Sequence, residues 1–167
     1  MPKPLLARCR PDSIQEFRAA ARRRFDDGLA LASSGRGTGA IYVWGYTAEM
    51  ILKAAYFTLL GLAEDHPLGW ATDLRPAIER GRTLGIPWPR GGDGHNVRAW
   101  ADLLVAERRL RGNPFAPVLA RNVRRRGQRF ESLWRETLRY RKNVAYHYEV
   151  RKVREAAEWF LVHAPVL

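Results

Sequence analysis

The sequence predicts an all-α fold, an antiparallel up-and-down bundle of about five helices. Apolar residues recur at three- and four-residue spacing through most of the chain, and no segment alternates as a strand would. The length of 167 residues suits one compact domain, and an apolar share of 46% with six tryptophans supplies material for its core. We therefore read residues 1–167 as a single domain. It has an N-terminal arm over residues 1–12 and a long Pro/Gly-rich connection over residues 64–94 that holds one short helix.

The first helix opens at Ser13, with Glu16 at capping-box spacing, and carries Ile14, Phe17, Ala21, Phe25, Leu29 and Ala32 on one face. "GRGTG" is the link that follows: Gly35 suits a left-handed helix end and Thr38 suits a cap for the second helix. That helix runs to about Gly61 and is apolar nearly all round. Glu49 and Lys53 lie near its middle, so it reads as a buried helix rather than a membrane span. Their four-residue spacing in the favoured order predicts an intrahelical ion pair.

Pro67, Pro76, Pro87 and Pro89 restrict the next stretch to one short helix over residues 74–82. A third long helix is expected within residues 91–112. A fourth runs from about Val118 through His147, interrupted or weakened at Gly127. The last covers residues 150–163, with Val150, Val153, Ala157, Phe160 and Leu161 inward.

Charge is the main clue to partners. The net charge is +12, and residues 121–154 hold twelve basic residues against three acidic ones, so nine of the twelve excess charges sit there. Arg121, Arg124, Arg125, Arg126 and Arg129 form the core of this footprint, which suits a phosphate-rich partner or a solvated helix face. Cys9 is the only cysteine, which excludes an internal disulfide and fits a reducing cytoplasm. The apolar patch near the N-terminus is too short for a signal peptide, and no membrane association is expected. The four histidines are scattered, so no metal site and no cofactor are expected. Neither "GRGTG" nor "RGGDGH" carries the residues of a phosphate-cradling loop, and no nucleophile elbow occurs.

The stretch "RYRKNVAYHYEV" survives this elimination. If the fourth helix continues through it, Glu136, Tyr140, Asn143 and His147 form one polar row, with Phe130, Trp134, Leu138 and Ala145 roughly opposite. Arg139, Arg141 and Lys142 surround that row, and Tyr148 follows it.

Here the chain resembles the HEPN domains (higher eukaryotes and prokaryotes nucleotide-binding), small helical bundles common in bacterial toxin and defence systems. The likeness lies in "RFDDGLALASSGRGTGAIYVWGYTAEMILKA", in "GHNVRAWADLL" and in "RKNVAYHY", in that order, and spans most of residues 13–163. It implies a metal-independent endoribonuclease of toxin or defence type, whose Arg-to-His motifs meet at a homodimer interface. Arg141 and His147 match the motif, Asn143 takes its polar position, and Lys142, Tyr140, Arg139 and Tyr148 support it. A neutral imidazole suits proton removal from a ribose 2′-hydroxyl, and a guanidinium suits the phosphate. The alternative is a non-catalytic RNA- or nucleotide-binding module that partners a small nucleotidyltransferase encoded nearby. A homodimer is also the expectation from the tryptophans Trp44, Trp70, Trp88, Trp100, Trp134 and Trp159, a large apolar load for a short chain.

Overall fold

The computed structural model describes residues 11–88 and 94–167. Most of the expected N-terminal arm, including Cys9, and residues 89–93 of the connection lie outside these. Six α-helices are present among the described residues, and no strand. They are α1 (Ile14–Ser33), α2 (Gly37–Leu59), α3 (Arg75–Thr83), α4 (Val97–Leu110), α5 (Pro117–Leu133) and α6 (His147–His163). None is long and apolar enough to cross a membrane.

Local chemistry sets most of the boundaries. Ser13 accepts a hydrogen bond from the Glu16 amide at 3.2 Å and starts α1. Gly35 ends it in the left-handed region, with φ of 75°. Asn96 accepts from the Ala99 amide at 3.0 Å and starts α4, and Pro117 sits in the first turn of α5, where its missing N–H has no intrahelical role. A short π turn, Trp70–Leu74, precedes α3. Burial pushes the Asp73 carboxyl there upward, but hydrogen bonds from Thr72, the Gly69 amide and His66 outweigh it and hold the group below the usual carboxylate range.

Helix α2 is the centre of the bundle and touches α1, α4, α5 and α6. Fifteen of its residues are buried, so its lack of a polar face follows from enclosure on several sides. The core around it is organised by tryptophans seated against glycines. Trp44 lies over Gly28, Trp134 over Gly45 and Trp88 over Gly81; a Cβ added at these glycines would fall 2.3, 1.9 and 2.9 Å from the indole. The Trp44 indole N–H donates to the Phe25 carbonyl at 3.1 Å, so the ring fixes the α1–α2 separation by shape and by hydrogen bond together.

Gly127 does not weaken α5. The helix runs straight through it, and the missing side chain lets α4 close in, since an added Cβ would lie 2.7 Å from that of Ala101. Nor do the tryptophans form a surplus. Trp44, Trp88, Trp100 and Trp134 are buried within the single chain, Trp159 is half-buried, and Trp70 is the exposed one. The tryptophan argument for a homodimer therefore loses its footing.

The fourth helix departs most from expectation. It stops at Leu133, Trp134 turns into extended backbone (φ −134°, ψ 136°), and Glu136–Tyr140 is a single 3₁₀ turn. Residues 141–146 contain no helix, and a new helix begins at His147. The expected polar row of Glu136, Tyr140, Asn143 and His147 on one helix does not form. The cause is tertiary. The Trp134 indole is drawn into the Gly45 notch and donates to the Tyr42 carbonyl at 2.9 Å, which a continuing helix would not permit.

Candidate nucleic-acid interface

Segment 139–148 is held by its backbone and projects most of its side chains. Asn143 is the clamp. Its Oδ1 accepts from the Thr38 amide at 3.0 Å, and its Nδ2 donates to the Gly35 carbonyl at 2.8 Å. The buried Thr38 hydroxyl in turn accepts from the amides of Val144 and Ala145, each at 2.9 Å. Asn143 thus satisfies a free N–H in the first turn of α2, and Thr38, expected as that helix's own cap, anchors the distant segment instead. Helix α6 then starts where the Glu149 carboxylate accepts from the Tyr146 amide at 2.8 Å.

What remains outside is basic and aromatic. Tyr140, Val144, Tyr146 and Tyr148 are 74%, 67%, 67% and 49% exposed. Tyr146 and Tyr148 are stacked, with centroids 5.9 Å apart and planes 9° from parallel. Lys152 Nζ stands 5.1 Å from the Tyr148 ring and the Arg139 guanidinium 4.6 Å from that of Tyr140. The Tyr140 phenol raises the pKa of that guanidinium further, so its charge is fixed at all working pH. Arg141, Lys142 and His147 are exposed, and none has a side-chain hydrogen bond or ion pair among the described residues. His147 is the first residue of α6, where unpaired backbone N–H groups favour an anion.

The five α5 arginines separate into two groups. Arg121, Arg124 and Arg125 point outward and line a shallow depression of about 610 Å³ with Pro117, Ala120 and Gln128. Arg126 and Arg129 turn toward α6. Arg126 lies 5.0 Å from the Trp159 ring, and Arg129 Nη1 lies 3.6 Å from Glu155 Oε2. Burial, then repulsion from Arg129 and Arg125, lowers the Arg126 pKa. These two cations serve helix packing, which leaves three for a partner. Arg124 also lies 3.5 Å from Asp102, whose pKa burial raises despite that neighbour.

A second polar cluster was only half visible in the sequence. The Glu49–Lys53 ion pair forms as expected, almost wholly buried. His95, 46 residues further on, adds to it, with Nδ1 3.0 Å from both Glu49 oxygens. A carboxylate only accepts, so Nδ1 carries the proton in this contact. The Tyr46 ring meets the His95 and Trp134 rings edge-on, each at 5.4 Å. Burial and the hydrogen bond with Tyr42 raise the Tyr46 pKa far above that of an ordinary phenol. The cluster ties the start of α4 to α2. Spacing gives the Glu-to-Lys pair; nothing local gives the histidine. Among the described residues, no group of three or more His, Cys, Asp or Glu side chains has the arrangement of a metal site.

No protein-family model, curated protein or solved structure matches the chain.

Proposed function

We propose that this protein binds RNA on segment 139–152 and on the exposed arginine face of α5, and cuts it without a metal through Arg141 and His147. One observation carries the reading: both side chains stand exposed and without a partner among the described residues, on a segment clamped by the Asn143 side chain. In the proposed step, His147 takes the proton of a ribose 2′-hydroxyl and the 2′-oxygen attacks the adjacent phosphorus. The bond to the 5′-oxygen breaks, that oxygen takes up a proton, and a 2′,3′-cyclic phosphate remains. Arg141 holds the phosphate and stabilises the charge gathering on its oxygens. Exposed tyrosines beside fixed cations suit unpaired bases, which stack on aromatic faces while the backbone is neutralised. In a homodimer, the His147 of a second copy would supply the proton to the leaving oxygen.

A second reading is favoured by Asn143. Its amide is consumed in clamping α2, so it does not assist His147, and among the described residues no carboxylate or carbonyl bonds the imidazole. On that reading the chain is a HEPN-like binding module beside a catalytic partner such as a small nucleotidyltransferase. The test uses purified protein, chelator and a single-stranded RNA, with the same oligonucleotide 2′-O-methylated as control. Cleavage of the first alone, lost in His147→Ala with binding retained, supports the nuclease. Binding without cleavage in wild type sinks it in favour of the module.

A further inference from the structure

Away from segment 139–152, a groove of about 800 Å³ opens between α1, α2 and the C-terminal end of α6. Aliphatic side chains form part of its walls, Ile51, Ala55 and Leu59 of α2 with Leu161, Val166 and Leu167, and Thr58 and Asn113 add polar groups. Three guanidinium groups border it: Arg18 and Arg22, one turn apart on α1, and Arg108 of α4. Among the described residues, neither a carboxylate side chain nor an aromatic ring lines it. We propose that this groove binds a free aliphatic carboxylate of the fatty-acid class.

Each part of that ligand has a counterpart. The volume lies within the range of small-molecule sites, and the aliphatic walls reward burial of a hydrocarbon chain. The absence of rings argues against a nucleobase, which would be stacked. Two of the three cations are held in place beforehand. Arg108 lies 4.3 Å from the Phe115 ring and donates to the main-chain oxygens of Asn113 at 3.1 Å and Leu167 at 2.8 Å. Arg18 is fixed by Glu64 and by the Thr58 hydroxyl at 3.1 Å. Arg22 has no hydrogen-bond or ion-pair partner among the described residues. It is the cation left for an incoming carboxylate, and preorganised neighbours reduce the entropy lost on binding.

The test is calorimetric titration of the whole protein with decanoate, decanol, inorganic phosphate and a short apolar peptide ending in a free carboxylate. Decanoate is expected to bind best. Arg22→Glu, an exposed substitution that leaves the core intact, should weaken it about tenfold. Leu161→Trp, which fills the groove, should do the same while decanol binding falls in parallel. Phosphate or the peptide binding as well as decanoate would overturn the ligand class. No decanoate binding, or binding unchanged by Arg22→Glu, would overturn the site. RNA cleavage or binding is not read in this experiment, so the two proposals stand or fall apart.

Discussion

Asn143→Ala distinguishes a clamp from a catalytic residue. The substitution removes two hydrogen bonds, one to the Thr38 amide and one to the Gly35 carbonyl. The Gly35 carbonyl belongs to an exposed turn and regains water, so its loss costs about 0.5 kcal/mol. The Thr38 amide belongs to a buried residue in the first turn of α2, and leaving it unpaired costs about 1.5 kcal/mol, as for the loss of a good N-cap. The sum is about 2 kcal/mol, or a fall in melting temperature of about 4–8 °C for a chain of this size. Asn143→Asp keeps an acceptor for Thr38 and should recover more than half of the loss. His147→Ala, at an exposed position without partners, should stay within about 0.5 kcal/mol of wild type. Urea denaturation followed by far-UV circular dichroism reads all three variants. An Asn143→Ala midpoint equal to wild type, or a His147→Ala loss of the same size, would refute the clamp.

Gly45→Ala places a methyl group where the Trp134 indole lies and should cost about 3 kcal/mol or more, with loss of near-ultraviolet aromatic dichroism; a wild-type spectrum would count against the notch. Glu49→Ala leaves the Lys53 ammonium buried without its carboxylate and should cost about 4 kcal/mol. Lys53→Met should cost about 2 kcal/mol or less, because His95 still bonds Glu49; equal losses in denaturation would refute this asymmetry. Joint replacement of Arg121, Arg124 and Arg125 by Ala should flatten the dependence of RNA affinity on salt, reducing the slope by about 2, whereas an Arg126/Arg129 double variant should lose stability first. A slope unchanged in the triple variant would show that this face meets no phosphate.

The elements that local chemistry dictates were legible in the sequence. Ser13, Gly35 and the Glu49–Lys53 spacing each act through neighbours within four residues, and each does in the structure what its spacing implies. The break after Leu133 was not legible, because the groups that cause it are remote. Trp134 bonds Tyr42, 92 residues earlier, and Asn143 bonds Gly35, 108 residues earlier. Helical periodicity continues through residues 134–147, but a tryptophan that fits a glycine notch and an amide that fits a helix end outweigh weak local propensity. Gly127 misled for a related reason: its absent side chain answers a neighbouring helix, not its own. At the candidate site, the residue types Arg141 and His147 were readable from the sequence, whereas the polar row meant to align them does not form. The use of Asn143 was not readable, since its partner is a backbone amide that no sequence motif announces.

The clamp at Asn143 also sets an order of assembly. Its contacts join positions 105 and 108 residues apart, so they close only after the chain has been made through Asn143. The turn between α1 and α2 can take shape early, since its contacts are local, but the first turn of α2 then waits for a distant amide. A nascent or partly unfolded chain would therefore carry the cations of segment 139–152 without their folded arrangement, which makes the finished bundle a condition for the RNA chemistry proposed above.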